Sequence, residues 1–270
     1  MNRSKFKILL PAILLASCFS CHKFEYNPYQ TENSKMPGDL NAINIARLHS
    51  GEFADDDTVT ILFTGDCQRF YNKVEELVET ANANNNIDFL LLAGDISDFS
   101  LLREFEWIYE WFEKLQTPYI CVIGNHDLTA NGSEIYSNMW GPKNFSFIYK
   151  GYKFVCHDNN SREYNFSGNI PDIPWLAGQL NDTKASWYVA ASHIPPWDQD
   201  FDGKLKEPYL NLFGSTPGFL LSLHGHLVDS RSMYYNNDSV LYMNSSGVQR
   251  GEAIIIKLFK GSLFFETIKY

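Results

Sequence analysis

Three apolar runs in this chain end in the same way. Residues 58–64, 87–93 and 119–123 are each followed by a glycine and then a short polar side chain: Gly65-Asp66, Gly94-Asp95 and Gly124-Asn125. Two helical patterns separate the runs. Val74, Leu77, Val78 and Ala81 recur on one helix face, as do Leu101, Phe105, Ile108, Phe112 and Leu115. Strand, helix, strand, helix, strand predicts parallel pairing. The carboxyl ends of parallel strands open on one crevice, where ligands bind. The pattern therefore brings Asp66, Asp95 and Asn125 to one edge of one sheet. The glycine before each allows a tight turn and a close backbone approach.

Beyond residue 144 the apolar segments become shorter and hairpin-like, at 145–149, 154–156, 187–191, 219–223, 240–243, 253–258 and 263–268. This half predicts a mixed or antiparallel sheet. Together the halves predict an α/β fold of two facing mixed β-sheets flanked by helices. His193 follows the segment 187–191, and His224-Gly225-His226 follows 219–223. A lone histidine at a strand end is ordinarily a hydrogen-bonded structural residue. Two separated by one glycine, with a third at another strand end, fit imidazole donation to a borderline metal. With Gly124-Asn125-His126-Asp127 added, the set reads as a two-metal hydrolase site.

The chain has 270 residues, with Lys plus Arg at 22 and Asp plus Glu at 32, for a net charge of −10. Such acidity, without a basic cluster, argues against nucleic acid as a partner. A phosphorylated substrate remains compatible, because bound cations supply local positive charge. At the N-terminus, Arg3, Lys5 and Lys7 lead into an apolar run over residues 8–16 that is too short to span a bilayer. It ends in Leu15-Ala16-Ser17-Cys18, which resembles the lipobox of bacterial lipoproteins. That resemblance implies cleavage before Cys18, lipidation of Cys18, and an exported protein anchored to a membrane of a bacterial envelope. The alternative is a signal peptide cleaved without lipidation. The expected organisation is a leader over 1–17, a tether and lead-in over 18–57, and a catalytic domain over 58–270. Within the lead-in, Asp39 is placed to cap a short helix carrying Leu40, Ile43 and Leu48. Five cysteines do not form a recognisable disulfide framework.

Read in order, Asp66-Cys67-Gln68, Gly94-Asp95, Gly124-Asn125-His126-Asp127, His193 and His224-Gly225-His226 resemble the calcineurin-like metallophosphoesterases. That family's pattern is Asp-x-His, Gly-Asp, Gly-Asn-His-Asp/Glu, a lone His, and Gly-His-x-His. The resemblance runs from about residue 58 to the end. It implies a four-layer αββα sandwich that hydrolyses a small phosphorylated substrate with two divalent ions (Mn, Fe, Zn or Mg). Asp66 and His226 would hold one ion, Asn125, His193 and His224 the other, and Asp95 would bridge them. Ions about 3.5–4 Å apart clamp a phosphoryl group and supply a bridging hydroxide for in-line attack without a phosphoenzyme. His126 is not a ligand in this scheme. It stabilises the transition state or protonates the leaving oxygen, with Asp127 orienting its ring.

Gln68 stands where the family has histidine. Its neutral amide oxygen is a harder and weaker donor, which favours Mn²⁺ or Mg²⁺ over Zn²⁺. Gln68 either ligates the first ion weakly or hydrogen-bonds a bound water. Asp98 either orients a site residue or caps the helix that begins near Leu101. The rival function is a metal-binding protein that recognises a phosphorylated ligand without cleaving it, against which the intact His126-Asp127 pair stands.

Overall fold

Helix α1 (Leu40–His49) is capped by Asp39, whose Oδ1 accepts from the Ala42 backbone N–H at 3.3 Å. Leu40 and Leu48 are buried, while Ile43 is exposed. This is the structure of the protein as a computed structural model. It describes residues 29–32, 36–50, 57–181, 184–235 and 239–270. The leader over 1–17 and the lipidation site Cys18 lie outside the described residues. Among the described residues no helix is long and apolar enough to cross a membrane. Thr31–Tyr270 groups as one folded unit. Helix α1, from the expected tether and lead-in, groups with that unit.

Strand β1 (Val59–Thr64) is buried at every position, as a strand covered on both faces must be. It pairs in parallel with β2 (Phe89–Leu92), and β2 pairs in parallel with β3 (Tyr119–Cys121). Helices α2 (Tyr71–Ala83) and α3 (Leu102–Phe112) make the crossovers. The outer edge of β3 is covered by side chains of α1 in place of another strand. Asn41 exchanges two hydrogen bonds with the Cys121 backbone at 2.9 and 3.0 Å, and Asn44 Oδ1 accepts from Tyr119 N at 3.2 Å. An edge strand left open would invite pairing with another chain.

After helix α4 (Gly132–Trp140) come β4 (Phe145–Tyr149), β5 (Tyr152–Cys156), helix α5 (Ile173–Gln179), β6 (Trp187–Ala191) and helix α6 (Gly203–Ser215). Strands β7 (Phe219–His224), β8 (Arg231–Tyr234) and β9 (Leu241–Asn244) complete a six-stranded sheet ordered β4-β5-β6-β7-β9-β8. Its central strands are parallel, and β4 and β8 are antiparallel edges. Strand β8 is mostly exposed and carries no apolar run, so its sequence does not announce it. The last strands, β10 (Glu252–Phe259) and β11 (Ser262–Lys269), leave the second half and join β1, giving β11-β10-β1-β2-β3.

The period-2 alternation of strands sorts the core into three layers. Phe63, Phe89, Phe154, Leu221, Leu223 and Ile256 pack between the sheets. Leu62, Leu90 and Leu92 face Val74, Leu77, Phe105 and Phe112 on the helices of the first sheet. Tyr188, Ala190 and Tyr242 face Leu176, Tyr209 and Phe213 on the helices of the second. The result is helix, sheet, sheet, helix. Cys67, Cys121 and Cys156 are buried free thiols within it.

Candidate metal centre

The loops after β1, β2 and β3 are joined by their own backbones. Asp66 N–H donates to Gly94 O at 3.0 Å, and Cys67 and Gln68 N–H donate to Asp95 O at 2.9 and 3.2 Å. Asp66 and Asp95 both turn through left-handed backbone, at φ 57° and 56°. Such a conformation is uncommon outside glycine and aims each carboxylate back across the strand ends. A Cβ on Gly124 would lie 2.1 Å from both the nitrogen and Oδ1 of Asp95, so only glycine lets the second and third loops meet.

The third loop is locked by Asp127, which is fully buried. Its carboxylate accepts from Gly124 N at 2.9 Å, Ile96 N at 3.2 Å, Ser97 N at 2.8 Å and Ser97 Oγ at 2.9 Å. Those bonds occupy both oxygens, so Asp127 clamps two loops and does not orient the His126 ring as the family pattern implied. Asp98 is placed to do that instead. His126 Nδ1 lies 2.9 Å from the Asp98 carbonyl and 3.5 Å from its Oδ1. The carbonyl can only accept, so Nδ1 carries a proton and Nε2 is the nitrogen left for chemistry. Asp98 is free for this because Glu104 closes the start of α3, accepting from Phe99 and Leu101 N–H at 2.9 and 3.0 Å.

His193 reaches the same point from the second sheet. Its Nδ1 donates to Ala93 O at 2.6 Å, and its Nε2 faces Asn125 Oδ1 at 2.9 Å and Asp95 Oδ1 at 3.3 Å. Its loop is gripped by buried Asn159. That side chain accepts from His193 N and Ile194 N at 3.1 and 2.9 Å and donates to Ile194 O at 2.6 Å. His226, at φ 72°, donates its backbone N–H to Asp66 Oδ2 at 3.1 Å and sets Nδ1 3.1 Å from Asn125 Oδ1. Ligand atoms of Asp66, Asp95 and His193 all lie within 4.8 Å of one another. Gln68 joins them, with Nε2 donating to Asp95 Oδ2 at 3.1 Å while its buried Oε1 has no partner. A buried oxygen without a donor is costly, and a cation satisfies it. The donor set of carboxylates, amide oxygens and imidazole fits a divalent ion.

His224 is not brought to this group. Alternation along β7 puts Leu221 and Leu223 between the sheets, and so Ser222 and His224 on the helix-covered face. There the Ser192 and Ser222 hydroxyls lie 3.2 and 2.9 Å from its two ring nitrogens. The register of one strand thus places His224 apart from the other expected ligands. Two acids missing from the sequence reading stand nearby. Asp198 Oδ1 and Asp200 Oδ2 each lie 3.6 Å from His226 Nε2. Their only signal was alternating acids in the loop that follows His193.

Burial and mutual charge shape the titrations here. Burial raises the Asp66 pKa to about 7, with His193 opposing and Asp95 adding to the rise. Burial lowers His193, but Asp95 and Asp66 outweigh it and raise the pKa to about 10. At neutral pH the metal-free folded state therefore holds more protons than the unfolded chain. From about pH 8 down to about pH 6.5, chelated protein is expected to gain stability. Below that, opposing uptakes meet: burial lowers His157 to about 4 and puts His224 well below its usual 6.5, while it raises Asp127 to about 6 and Asp66 is still gaining its proton. The gain on acidification is therefore confined to the range above about pH 6.5. Mn²⁺-loaded protein should lack that gain, because a cation keeps Asp66 ionised and His193 neutral. A metal-free melting temperature that climbs steadily from about pH 6.5 to about pH 8 contradicts this account.

A four-layer sandwich with carboxylates, an amide and imidazoles gathered at strand ends defines a metallophosphoesterase centre. The sequence profile of the calcineurin-like phosphoesterases matches residues 59–230, and the chain belongs to that family. Membership implies divalent metal ions. A probable cyclic nucleotide phosphodiesterase of Synechococcus sp. is 27% identical over 112 residues, covering 40% of this chain and 43% of that one. Another, of Xenorhabdus bovienii, is 25% identical over 92 residues, covering 34% and 36%. The chain thus spans less than half the length of these curated relatives. Among solved structures, a purple acid phosphatase from yellow lupin (Lupinus luteus) seeds superposes with a TM-score of 0.59 at 12% identity, covering 81% of this chain and 52% of that one. A dimetal phosphatase from Danio rerio gives 0.58 at 14% identity, covering 78% and 99%. These structural likenesses speak for the fold.

Proposed function

We propose that this protein hydrolyses a small phosphoester, with two divalent ions held where the two sheets meet. Asp66, Gln68 and His226 would hold one and Asn125 and His193 the other, with Asp95 shared. The observation that carries this is the convergence of Asp66, Asp95 and His193, beside which Gln68, bonded to Asp95 through Nε2, leaves a buried Oε1 without a partner. Two such ions neutralise phosphoryl oxygens and lower the pKa of water enough to supply hydroxide near neutral pH. Attack would be in line, without a phosphoenzyme. His126, as an imidazolium whose Nδ1–H is held by the Asp98 carbonyl, would then deliver its Nε2 proton to the leaving oxygen as the P–O bond breaks, and is left neutral.

Purified protein with Mn²⁺ is expected to cleave p-nitrophenyl phosphate or its bis ester, and to lose that activity with chelator. Gln68→His should raise affinity for Zn²⁺ about 10-fold or more and for Mn²⁺ by less, since imidazole is the better donor for the softer ion. Equal metal content in wild type, Gln68→His and Gln68→Ala would remove Gln68 from the ligand set. Metal bound without cleavage of either ester favours the non-catalytic phosphoryl-binding protein. The printed names of the relatives make a cyclic nucleotide the first natural diester to try.

The lipobox-like leader supports action outside the cytosol, anchored through Cys18. Cys18→Ser is expected to move the protein from the membrane to the soluble envelope fraction. Retention in the membrane fraction would argue against the lipid anchor.

A further inference from the structure

Two arginines stand at the two ends of one chain of contacts through the metal centre. Arg69 Nη2 donates to Asp98 Oδ1 at 2.5 Å, and the same oxygen lies 3.5 Å from His126 Nδ1. Arg162 Nη1 donates to Asp200 Oδ2 at 2.9 Å, and that oxygen lies 3.6 Å from His226 Nε2. Between them, the His126 backbone N–H donates to Asp95 Oδ1, which His193 Nε2 faces, and the His193 ring sits 5.2 Å from that of His226. Each arginine is thus tied by one carboxylate oxygen to one imidazole of the site.

We propose that Arg69 and Arg162 are the substrate-binding cations of this centre, together forming a clamp for the oxyanions of a multiply charged phosphoester. The anchors are fixed and the arms are free. Asp98 and Asp200 side chains are only 7% and 10% exposed, whereas those of Arg69 and Arg162 are 58% and 59% exposed. Each guanidinium commits one terminal nitrogen to its aspartate. Its remaining donors form a planar fork suited to phosphate. An ion pair whose cation is this exposed contributes little to stability, so stability alone gives little reason for the pairing. Charge gives a better one. Asp66 and Asp95 lie in the centre, and Asp98, Asp198 and Asp200 stand beside its imidazoles, in a chain of net charge −10. A phosphate dianion approaching it meets repulsion beyond whatever the ions neutralise. Cations at the rim offset that field and favour substrates with more anionic oxygens.

This inference rests on the phosphoester proposal, and its test separates the two. Inorganic phosphate is titrated calorimetrically into Mn²⁺-loaded wild type, Arg69→Ala, Arg162→Ala and the two Arg→Lys variants. The dissociation constant is expected to rise about tenfold for each alanine variant and to recover in part with lysine. Metal content should not change. In turnover, KM should rise more for p-nitrophenyl phosphate, a dianion, than for the singly charged bis ester. Phosphate affinity equal to wild type in both alanine variants overturns the clamp, as does a wild type that binds no phosphate. Phosphate bound through the arginines without cleavage of either ester leaves the clamp standing and removes the hydrolase.

Discussion

His126→Ala is expected to lower kcat by about 10²–10⁴-fold, the usual contribution of a general acid, and to leave metal content unchanged. The separation follows from geometry. His126 hangs from the third loop with Nδ1 on the Asp98 carbonyl and is not among the ligand atoms of Asp66, Asp95 and His193 that converge. Removing the ring therefore removes a proton donor and no ligand. Asp98→Asn should give a smaller loss, of about 10–100-fold, because the carbonyl at 2.9 Å still holds Nδ1. Steady-state kinetics with metal analysis on the same samples checks both. Turnover by His126→Ala at the wild-type rate would refute the role given to this residue.

Gly124→Ala is expected to cost about 1–3 kcal/mol or more and to abolish metal binding. The added methyl would sit 2.1 Å from the nitrogen and Oδ1 of Asp95. Backbone cannot yield there cheaply, because Asp95 O already takes the Cys67 and Gln68 amides and Asp127 ties Gly124 to Ile96. Relief must come from parting the loops that carry Asp95 and Asn125. Gly178→Ala is the matched control. A Cβ there meets nothing within 4 Å and its position is helical, so it should be neutral or slightly stabilising. Thermal unfolding and metal content measured together decide the matter. Wild-type metal binding by Gly124→Ala would show that the loops do not need this close approach.

Much of the centre was legible because its signal is local. A buried strand is an apolar run, a tight exit from it is a glycine, and the residue after that glycine sits at the carboxyl edge of the sheet. That logic placed Asp66, Asp95 and Asn125 without any knowledge of the partner strands, and the spacing of Leu101 through Phe112 placed α3. It failed where a residue's role depends on what lies across a gap. His224 ends a strand as His193 nearly does. One position of period-2 register, however, turns its ring to the helix-covered face, toward Ser192 and Ser222. Asp127 follows His126 in sequence, but the closure of the loops over residues 94–97 and 124–127 gave it four donors and left the imidazole to Asp98. Strand β10 joins β1 because pairing is settled by long-range packing, and its apolar pattern is equally consistent with either sheet.

The sequence alone therefore determined the layered fold, the edge on which the chemistry lies and the shortage of one imidazole at Gln68. These depend on periodicity, glycine and residue type, all of which are written along the chain. Only the tertiary structure decided which carboxylate holds His126, that His224 turns away, and that Arg69 and Arg162 end one contact chain through Asp98 and Asp200. Those outcomes depend on distances between segments far apart in sequence, set by how two sheets pack and how their loops close.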